Sequence, residues 1–143
     1  MTKVLVLNGP NIQRLGTREP EIYGSDTFED LKKSCVEFGK TQDFEIDFRQ
    51  TDDEATIIKW LHEAADNKLP VIINPAAFTH TSVALRDAIG SVNIPFYEVH
   101  LSNVHAREEF RHKSLFSDKA VAVICGLGKH GYAAALEHII KNN

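Results

Sequence analysis

Short apolar segments alternate with amphipathic helical patterns along the whole chain, and this alternation restricts the fold more than any other feature of the sequence. Four of the segments are rich in β-branched residues, as buried parallel strands are, and they cover residues 4–7, 71–73, 96–99 and 121–125. A fifth, residues 44–48, alternates apolar with charged residues, which predicts a strand at an edge of the sheet. Five strands separated by helices predict an α/β fold with a parallel sheet covered on both faces.

Four helical patterns connect these strands, with apolar residues recurring every three or four positions over residues 28–38, 57–65, 83–89 and 132–140. The first follows Thr27, which has the capping-box spacing with Asp30. The third is expected to begin after Ser82 and to end at Gly90, and a short helical turn is expected at residues 107–111. Because the polar strand belongs at one edge, we expect a flavodoxin-like three-layer sandwich with strand order 2-1-3-4-5.

The composition indicates one domain and excludes several classes of protein. A chain of 143 residues with 43% hydrophobic residues fits a single domain over residues 1–143. A net charge of −4 argues against binding nucleic acid by phosphate neutralisation. No apolar run reaches the ~18 residues of a membrane span, and Met1 leads directly into a strand rather than into a signal peptide. Cys35 and Cys125 stand in apolar surroundings, which predicts reduced thiols in the core of a cytoplasmic protein.

Ligands of such sheets bind at the carboxyl ends of the strands, and three of those ends carry polar side chains. The connection after the first strand runs from Asn8 to Ser25, far beyond the ~2–6 residues usual for such a loop. The candidate residues at the three ends are Asn11, Arg18, Tyr23, Asn74, His80, Glu98, His100 and Arg111. Taken singly, a loop tyrosine is usually a packing anchor and a Glu-x-His pair on a strand is often incidental. Their convergence on one edge of the sheet predicts a functional site.

Acid–base chemistry on a small anion is the interpretation that remains when other chemistries are excluded. The sequence has no His-x-x-x-His or Cys/His spacing for a catalytic metal, no phosphate-binding glycine loop and no Gly-x-Ser-x-Gly elbow. An imine mechanism lacks an obvious lysine, with the exception of Lys129. We therefore expect no cofactor and no metal, with arginines binding a carboxylate and with Tyr23 and His100 moving protons.

Four motifs in this order resemble the type II dehydroquinases. They are LNGPN at residues 7–11, RLGTREPEIYG at 14–24, NPAAFTHTS at 74–82 and EVHLSNVHARE at 98–108. The resemblance extends over residues 4–136 and implies a 3-dehydroquinate dehydratase. Such an enzyme is a hydro-lyase that removes water from 3-dehydroquinate in an anti elimination through an enolate. The product, 3-dehydroshikimate, belongs to the shikimate pathway of aromatic amino acid biosynthesis or to quinate catabolism.

The resemblance also implies which residues carry out the chemistry. Tyr23 would take the proton beside the ketone, and Arg18 would reduce the cost of forming its phenolate, which is about 4 kcal/mol at pH 7 for a free tyrosine with a pKa of ~10. Asn11 would help hold a water that stabilises the enolate oxygen. His100 would protonate the leaving hydroxyl, while Glu98 fixes the tautomer of His100 and favours its charged form.

The resemblance also implies which residues bind the substrate. The expected contacts to the substrate carboxylate and hydroxyls come from Asn74, His80, Arg111 and the backbone of Leu101 and Ser102. The Arg111 guanidinium is expected to pair with the carboxylate. Gly16 and Gly24 would flank a lid that closes Arg18 and Tyr23 over the ligand.

Asp87 has two interpretations. It follows Ser82 on a short helix, where an aspartate is ordinarily solvated or paired with a neighbour such as Arg86. In type II dehydroquinases, however, the matching aspartate approaches the active site of an adjacent subunit, and the enzymes assemble as trimers grouped into dodecamers. The resemblance therefore implies a homo-oligomer, with dehydroquinate as the small-molecule partner and with neither nucleic acid nor membrane.

Two other classes share the predicted fold. A flavodoxin-like flavin-binding module would need a hydroxyl- and glycine-rich phosphate loop after the first strand, and flavin absorbance would identify it. A receiver-type signalling domain would need clustered aspartates at the end of that strand. The residues present there, Asn8-Gly9-Pro10, supply neither.

Overall fold

The structure is a computed structural model that describes residues 2–17, 19–23 and 25–142, with the backbone alone for Tyr23. The strands of the described chain are β1 (Thr2–Asn8), β2 (Phe44–Gln50), β3 (Val71–Asn74), β4 (Phe96–His100) and β5 (Ala122–Cys125). Its α-helices are α1 (Pro20–Tyr23), α2 (Phe28–Thr41), α3 (Glu54–Asp66), α4 (Phe78–Thr81), α5 (Val83–Ser91) and α6 (His130–Lys141). Short 3-10 turns lie at Ile12–Arg14, Val104–Ala106, Glu109–Arg111 and Ser117–Lys119.

All five strands form one parallel sheet of order β2-β1-β3-β4-β5, which confirms the predicted order. The register pairs Asn8 with Asn74 and Ile73 with Glu98, so the carboxyl ends of β1, β3 and β4 lie side by side. The polar strand β2 occupies one edge, as its alternating pattern predicts.

The other edge strand, β5, corrects an expectation. Its β-branched residues predicted a buried strand, yet Val121, just before β5, is 52% exposed and Val123 is 43% exposed. The pattern could not distinguish a strand buried within this chain from an edge strand with one uncovered face, because both favour the same residue types.

Each face of the sheet is covered by helices that present an apolar stripe. On one face, α2 and α6 pack against Val4 and Val6 of β1, and Leu136 of α6 is fully buried there. On the opposite face, α3 and α5 pack against Leu5 and Leu7, the alternate residues of the same strand. The central strand β1 is therefore apolar on both sides, which is why its sequence shows a continuous apolar run rather than an alternation.

Helix starts follow the sequence signals, but one predicted helix end is wrong. Thr27 and Asp30 form the expected capping box on α2, and the Ser82 side chain accepts a hydrogen bond from the Leu85 N–H at the start of α5. The α5 helix continues through Gly90 to end at Ser91, so Gly90 is not its terminator. The predicted turn at 107–111 is a 3-10 turn over Glu109–Arg111.

Several local features had no counterpart in the predictions. The one-turn helices α1 and α4 were not anticipated, because a single turn is too short to show a periodic pattern. Both cysteines are free thiols, but only Cys35 is buried as expected, whereas Cys125 is partly exposed on β5. Within the described residues, no helix has the length and apolar character needed to cross a membrane.

Two helical glycines give a matched test of how tightly α2 packs on the sheet. A Cβ on Gly39 would lie 2.4 Å from Cγ1 of Ile46, whereas a Cβ on Gly90 would meet no atom within 4 Å. We expect Gly90→Ala to stabilise the protein by about 0.5–1 kcal/mol through the better helix propensity of alanine. Gly39→Ala should instead destabilise it by about 1–3 kcal/mol, because overpacking outweighs that gain. Urea denaturation midpoints at one protein concentration measure both changes, and a stabilised Gly39→Ala variant would contradict the tight packing.

Candidate active site

A pocket opens at the carboxyl ends of β1, β3 and β4, where the sequence predicted it. Among the described residues it is lined by Pro10, Asn11, Ile12, Leu15, Asn74, Ala76, Ala77, His80, His100, Leu101, Ser102, Val104, Arg107 and Arg111. Seven of the predicted site residues are thus brought together: Asn11, Asn74, His80, His100, Leu101, Ser102 and Arg111.

The first wall of the pocket is the start of the long connection after β1, and it lies very close to the end of β3. The Gly9 N–H donates to the Asn74 carbonyl at 2.8 Å, and a Cβ on Gly9 would stand 2.5 Å from the Pro75 carbonyl oxygen. Asn11 has a left-handed backbone with φ of 71°, and its N–H donates to the Asp52 carboxylate at 2.9 Å. The connection is therefore bound to the ends of both neighbouring strands before it reaches the pocket.

His100 and Glu98, the predicted acid–base pair, are in direct contact. They are alternate residues of β4, so both side chains point to the same face of the sheet. His100 Nε2 lies 2.5 Å from Glu98 Oε2, and both residues are buried. A carboxylate can only accept, so the bond places a proton on Nε2 and leaves Nδ1 as the second ring nitrogen.

Three hydroxyl groups surround the Glu98 carboxylate, and none of them was predicted from the sequence. Ser117 and Ser114 donate to Oε1 at 2.7 and 3.2 Å, and Thr79 Oγ1 lies 3.2 Å from Oε2 and 2.5 Å from Ser114 Oγ. Thr79 stood in a quoted motif, whereas Ser114 and Ser117 come from a segment without periodicity that precedes β5. The contacts of Ser114 and Ser117 with Glu98 become evident only in the fold, where this segment lies against β4.

The pKa of Glu98 is lower than that of an exposed glutamate. Burial alone would raise it, but the hydrogen bond and charge of His100 and the donors Ser117 and Ser114 favour the ionised form more strongly. Glu98 is therefore an anionic acceptor at neutral pH, as its proposed role of orienting His100 requires.

His80 and Arg111 form another wall of the pocket. His80 Nδ1 donates to the Lys113 carbonyl at 2.7 Å, so Nε2 is the ring nitrogen that remains for a ligand. The Arg111 Nε donates to the Glu108 carboxylate, and its guanidinium lies 4.9 Å from the centre of the Phe110 ring. The two Nη atoms carry four further N–H donors, the arrangement that suits a carboxylate.

Arg107 also lines the pocket, although no role was predicted for it from the sequence. Its side chain is only 11% exposed, with Nη1 at 3.5 Å from Ser102 Oγ and Nη2 at 4.0 Å from Glu19 Oε2. An arginine so well enclosed in a pocket wall is unusual for a solvated charge. Its place in the EVHLSNVHARE motif, four residues before Arg111, was the available signal.

The remaining predicted residues either fall outside the described part of the chain or do not line the pocket. Arg18, Gly24 and the side chain of Tyr23 lie outside what the structure describes. Asp87 is exposed on α5 and does not line the pocket, and the neighbouring Arg86 is paired with Asp118 at 2.6 Å instead. Among residues 2–17, 19–23 and 25–142, no group of three or more His, Cys, Asp or Glu side chains is arranged to hold a metal.

The arrangement supports proton transfer to a polar, anionic small molecule. A buried imidazole backed by a carboxylate supplies an acid or base, Asn74 and Asn11 supply neutral hydrogen-bonding groups, and the arginines attract negative charge.

Comparison with known proteins agrees with this chemistry. The model of the family described as dehydroquinase class II matches residues 2–140. The chain is 55% identical over 135 residues to 3-dehydroquinate dehydratase 2 of Pseudomonas aeruginosa, which covers 94% of this chain and 91% of that protein. It is also 55% identical over 138 residues to the catabolic 3-dehydroquinase of Talaromyces marneffei, covering 96% of this chain and 79% of the relative.

Solved structures give the same result. The crystal structure of the type II dehydroquinase from Propionibacterium acnes superposes with a TM-score of 0.96 at 46% identity, covering 99% of this chain and 97% of the other. That of the enzyme from Butyrivibrio crossotus gives a TM-score of 0.94 at 42% identity, with 98% and 97% covered. With its site, its sequence and its fold in agreement, the chain belongs to the class II dehydroquinases.

Proposed function

We propose that this chain, as a single catalytic domain over residues 1–143, is a 3-dehydroquinate dehydratase. It removes water from 3-dehydroquinate to give 3-dehydroshikimate and needs neither a metal nor an imine. The observation that carries the proposal is the buried His100–Glu98 pair, which stands in a pocket lined by amide and guanidinium groups. One relative is named a 3-dehydroquinate dehydratase and another a catabolic 3-dehydroquinase. The product therefore serves either the shikimate pathway or quinate breakdown.

The reaction begins with removal of the proton beside the ketone. Tyr23 is the base, and its phenolate requires a nearby cation, because ionising a free tyrosine at pH 7 costs about 4 kcal/mol. Arg18 supplies that cation from the same connection. The electron pair of the broken C–H bond moves onto the ketone oxygen, and a water held by Asn11 stabilises the resulting enolate.

The second half of the reaction is loss of the hydroxyl group. As the enolate reforms the ketone and its electrons make the carbon–carbon double bond, the C–O bond breaks and His100 gives a proton to the departing oxygen. The Nε2 of His100 faces Glu98, so Nδ1 is the donor. An anti elimination places base and acid on opposite faces of the substrate, with Tyr23 on one side and His100 on the other.

Arg111, His80 and Asn74 bind the substrate. Arg111 pairs with the carboxylate through its Nη atoms, and His80 and Asn74 bind hydroxyl groups, together with the backbone of Leu101 and Ser102. These five residues line the same pocket as His100, which supports the assignment.

The functional form is a cytoplasmic homo-oligomer, a dodecamer built from trimers. Support comes from apolar side chains left uncovered in the single chain, with Val121 and Val123 beside the β5 edge and Val83 on α5 exposed by 52%, 43% and 60%. Asp87 lies on α5 near Val83 and contributes to a neighbour's site, where it orders a substrate-binding arginine.

The activity itself is tested by following the absorbance of the conjugated enone of 3-dehydroshikimate. The purified enzyme should generate this absorbance from 3-dehydroquinate, and EDTA should leave the rate within about twofold. Borohydride added together with substrate should not inactivate the enzyme, because no imine forms. Absence of the enone would refute the proposed function, while inhibition by EDTA or by borohydride would point to a metal or to a lysine imine.

The role of His100 is tested by separating the two halves of the reaction. His100→Ala should reduce product formation by about a hundredfold or more, since general acid catalysis typically contributes that much. Exchange of the substrate C2 proton with solvent deuterium, measured by NMR, should fall by a much smaller factor. His62→Ala, which changes an exposed histidine on α3, is the matched control and should leave both rates unchanged. An equal loss of exchange and product in His100→Ala would remove His100 from the acid role.

The contribution of Asp87 is tested by mixing subunits. Tyr23→Phe and Asp87→Ala should each lower activity alone. If each site takes Tyr23 from one chain and Asp87 from the next, random co-refolding of equal amounts restores both residues in about a quarter of the sites of a cyclic trimer. Activity of the mixture should rise above the mean of the two variants toward that fraction. A mixture that shows only the mean would mean that Asp87 does not act across the interface.

A further inference from the structure

Tyr132 is a fully buried residue of α6 whose hydroxyl group joins two strands. It is 1% exposed, and its hydroxyl lies 2.6 Å from Asn8 Oδ1 on β1 and 3.0 Å from Asn74 Nδ2 on β3. Burial raises the pKa of Tyr132, so the hydroxyl keeps its proton at neutral pH. None of the steps proposed above uses this residue.

The direction of these hydrogen bonds is determined by a backbone carbonyl. The Arg49 carbonyl can only accept, so the group that faces it at 3.0 Å is the Asn8 amide nitrogen, and Asn8 Oδ1 faces Tyr132. The Tyr132 hydroxyl must then donate to Asn8, and its remaining lone pair accepts a hydrogen bond from Asn74. The side-chain amide of Asn74 is held in one of its two orientations.

The other end of the Asn74 amide agrees with that orientation. Asn74 Oδ1 accepts a hydrogen bond at 3.2 Å from the N–H of Ala76, whose own φ is left-handed at 51°. Because one Nδ2 proton is bound to Tyr132, the second Nδ2 proton is the donor that this pocket-lining amide can give to a ligand. A reversed amide would present an acceptor in its place.

We propose that Tyr132 is a positioning residue that orients the Asn74 amide so that it donates to an accepting oxygen of the bound substrate. The inference rests on the proposed function for the identity of that substrate. A purely structural role for Tyr132, as a packing partner of Phe48 at a ring distance of 5.7 Å, makes a different prediction. Loss of packing alone would cost the same whether or not Asn74 is present.

A double-mutant cycle separates the two roles. Steady-state kcat and KM for 3-dehydroquinate are measured for the wild type, Tyr132→Phe, Asn74→Ala and the double variant. Tyr132→Phe keeps the ring and should raise KM about five- to tenfold with kcat within about twofold, the size expected when one oriented hydrogen bond is lost. In the Asn74→Ala background the same change should alter KM by less than about twofold. An equal factor in both backgrounds would overturn the proposal.

Tyr97→Phe provides the matched control. Tyr97 is also buried, and its hydroxyl lies 2.7 Å from His138 Nδ1 near the amino end of β4, away from the pocket. This variant removes one tyrosine hydroxyl bond without touching Asn74, so KM should stay within about twofold of the wild type. A KM increase equal to that of Tyr132→Phe would show that general loosening explains both.

A second variant keeps the test decisive if Tyr132→Phe does not fold. Asn8→Ala retains the Tyr132 hydroxyl but removes the acceptor that sets its direction, so the hydroxyl can donate to Asn74 Oδ1 and permit the reversed amide. Asn8 does not line the pocket, yet this change should also raise KM with little effect on kcat. A folded Asn8→Ala enzyme with unchanged KM would overturn the proposal.

Side-chain NMR distinguishes failure of this inference from failure of the proposed function. If the wild type does not convert 3-dehydroquinate, the proposed function is wrong, and the orientation of Asn74 is then measured without substrate. In the ¹⁵N-labelled wild type, the Nδ2 protons of Asn74 should exchange slowly with water and remain two distinct signals. Tyr132→Phe should accelerate that exchange about tenfold or more. An unchanged exchange rate would refute the role of Tyr132 in holding the amide.

Discussion

The buried carboxylate of Glu98 is the constraint around which the site is organised. An ionised carboxylate removed from water is unstable unless hydrogen-bond donors replace its hydration, and here His100 and the hydroxyl groups around Glu98 do so. Two of those hydroxyls, on Ser114 and Ser117, can reach Glu98 only because the segment before β5 folds back over the end of β4. The need of the buried Glu98 carboxylate for hydrogen-bond donors thus links the position of His100 to that of the segment before β5.

A second constraint is the close approach of the connections after β1 and β3. The contact between Gly9 and the Pro75 carbonyl brings these two connections together, and the backbone next to it adopts left-handed conformations at Asn11 and Ala76. Such φ values are tolerated by asparagine but carry a cost for alanine. Both residues line the pocket, whereas the other described non-glycine residues with left-handed φ, Glu19, Asp43 and Lys68, do not, so only part of the backbone strain lies at the candidate site.

The sequence predicted the framework of the fold and the meeting of several polar side chains in one pocket, but not the groups that support those side chains. Strand order and the meeting of Asn74 with His100 follow from periodicity and from the topology of parallel sheets, which are local signals combined with a general rule. Ser117 and Tyr132 come from segments distant in sequence from the residues they contact. A single hydroxyl group produces no periodic pattern, so the sequence could not indicate either contact. The exposure of Val123 was missed for another reason, since the same residue type suits a buried strand and a strand with an uncovered edge.

Backbone carbonyls determine the donor and acceptor roles of the side chains at this site. A carbonyl oxygen can only accept, so the Lys113 carbonyl makes Nδ1 of His80 the donor and leaves Nε2 for the pocket. The Arg49 carbonyl has the same effect on Asn8 and, through Tyr132, on Asn74. Amide and imidazole groups could otherwise adopt two orientations of similar shape and opposite hydrogen-bonding character. Because the Arg49 carbonyl belongs to β2 and the Lys113 carbonyl follows the 3-10 turn Glu109–Arg111, the fold itself fixes which atoms of these side chains donate and which accept.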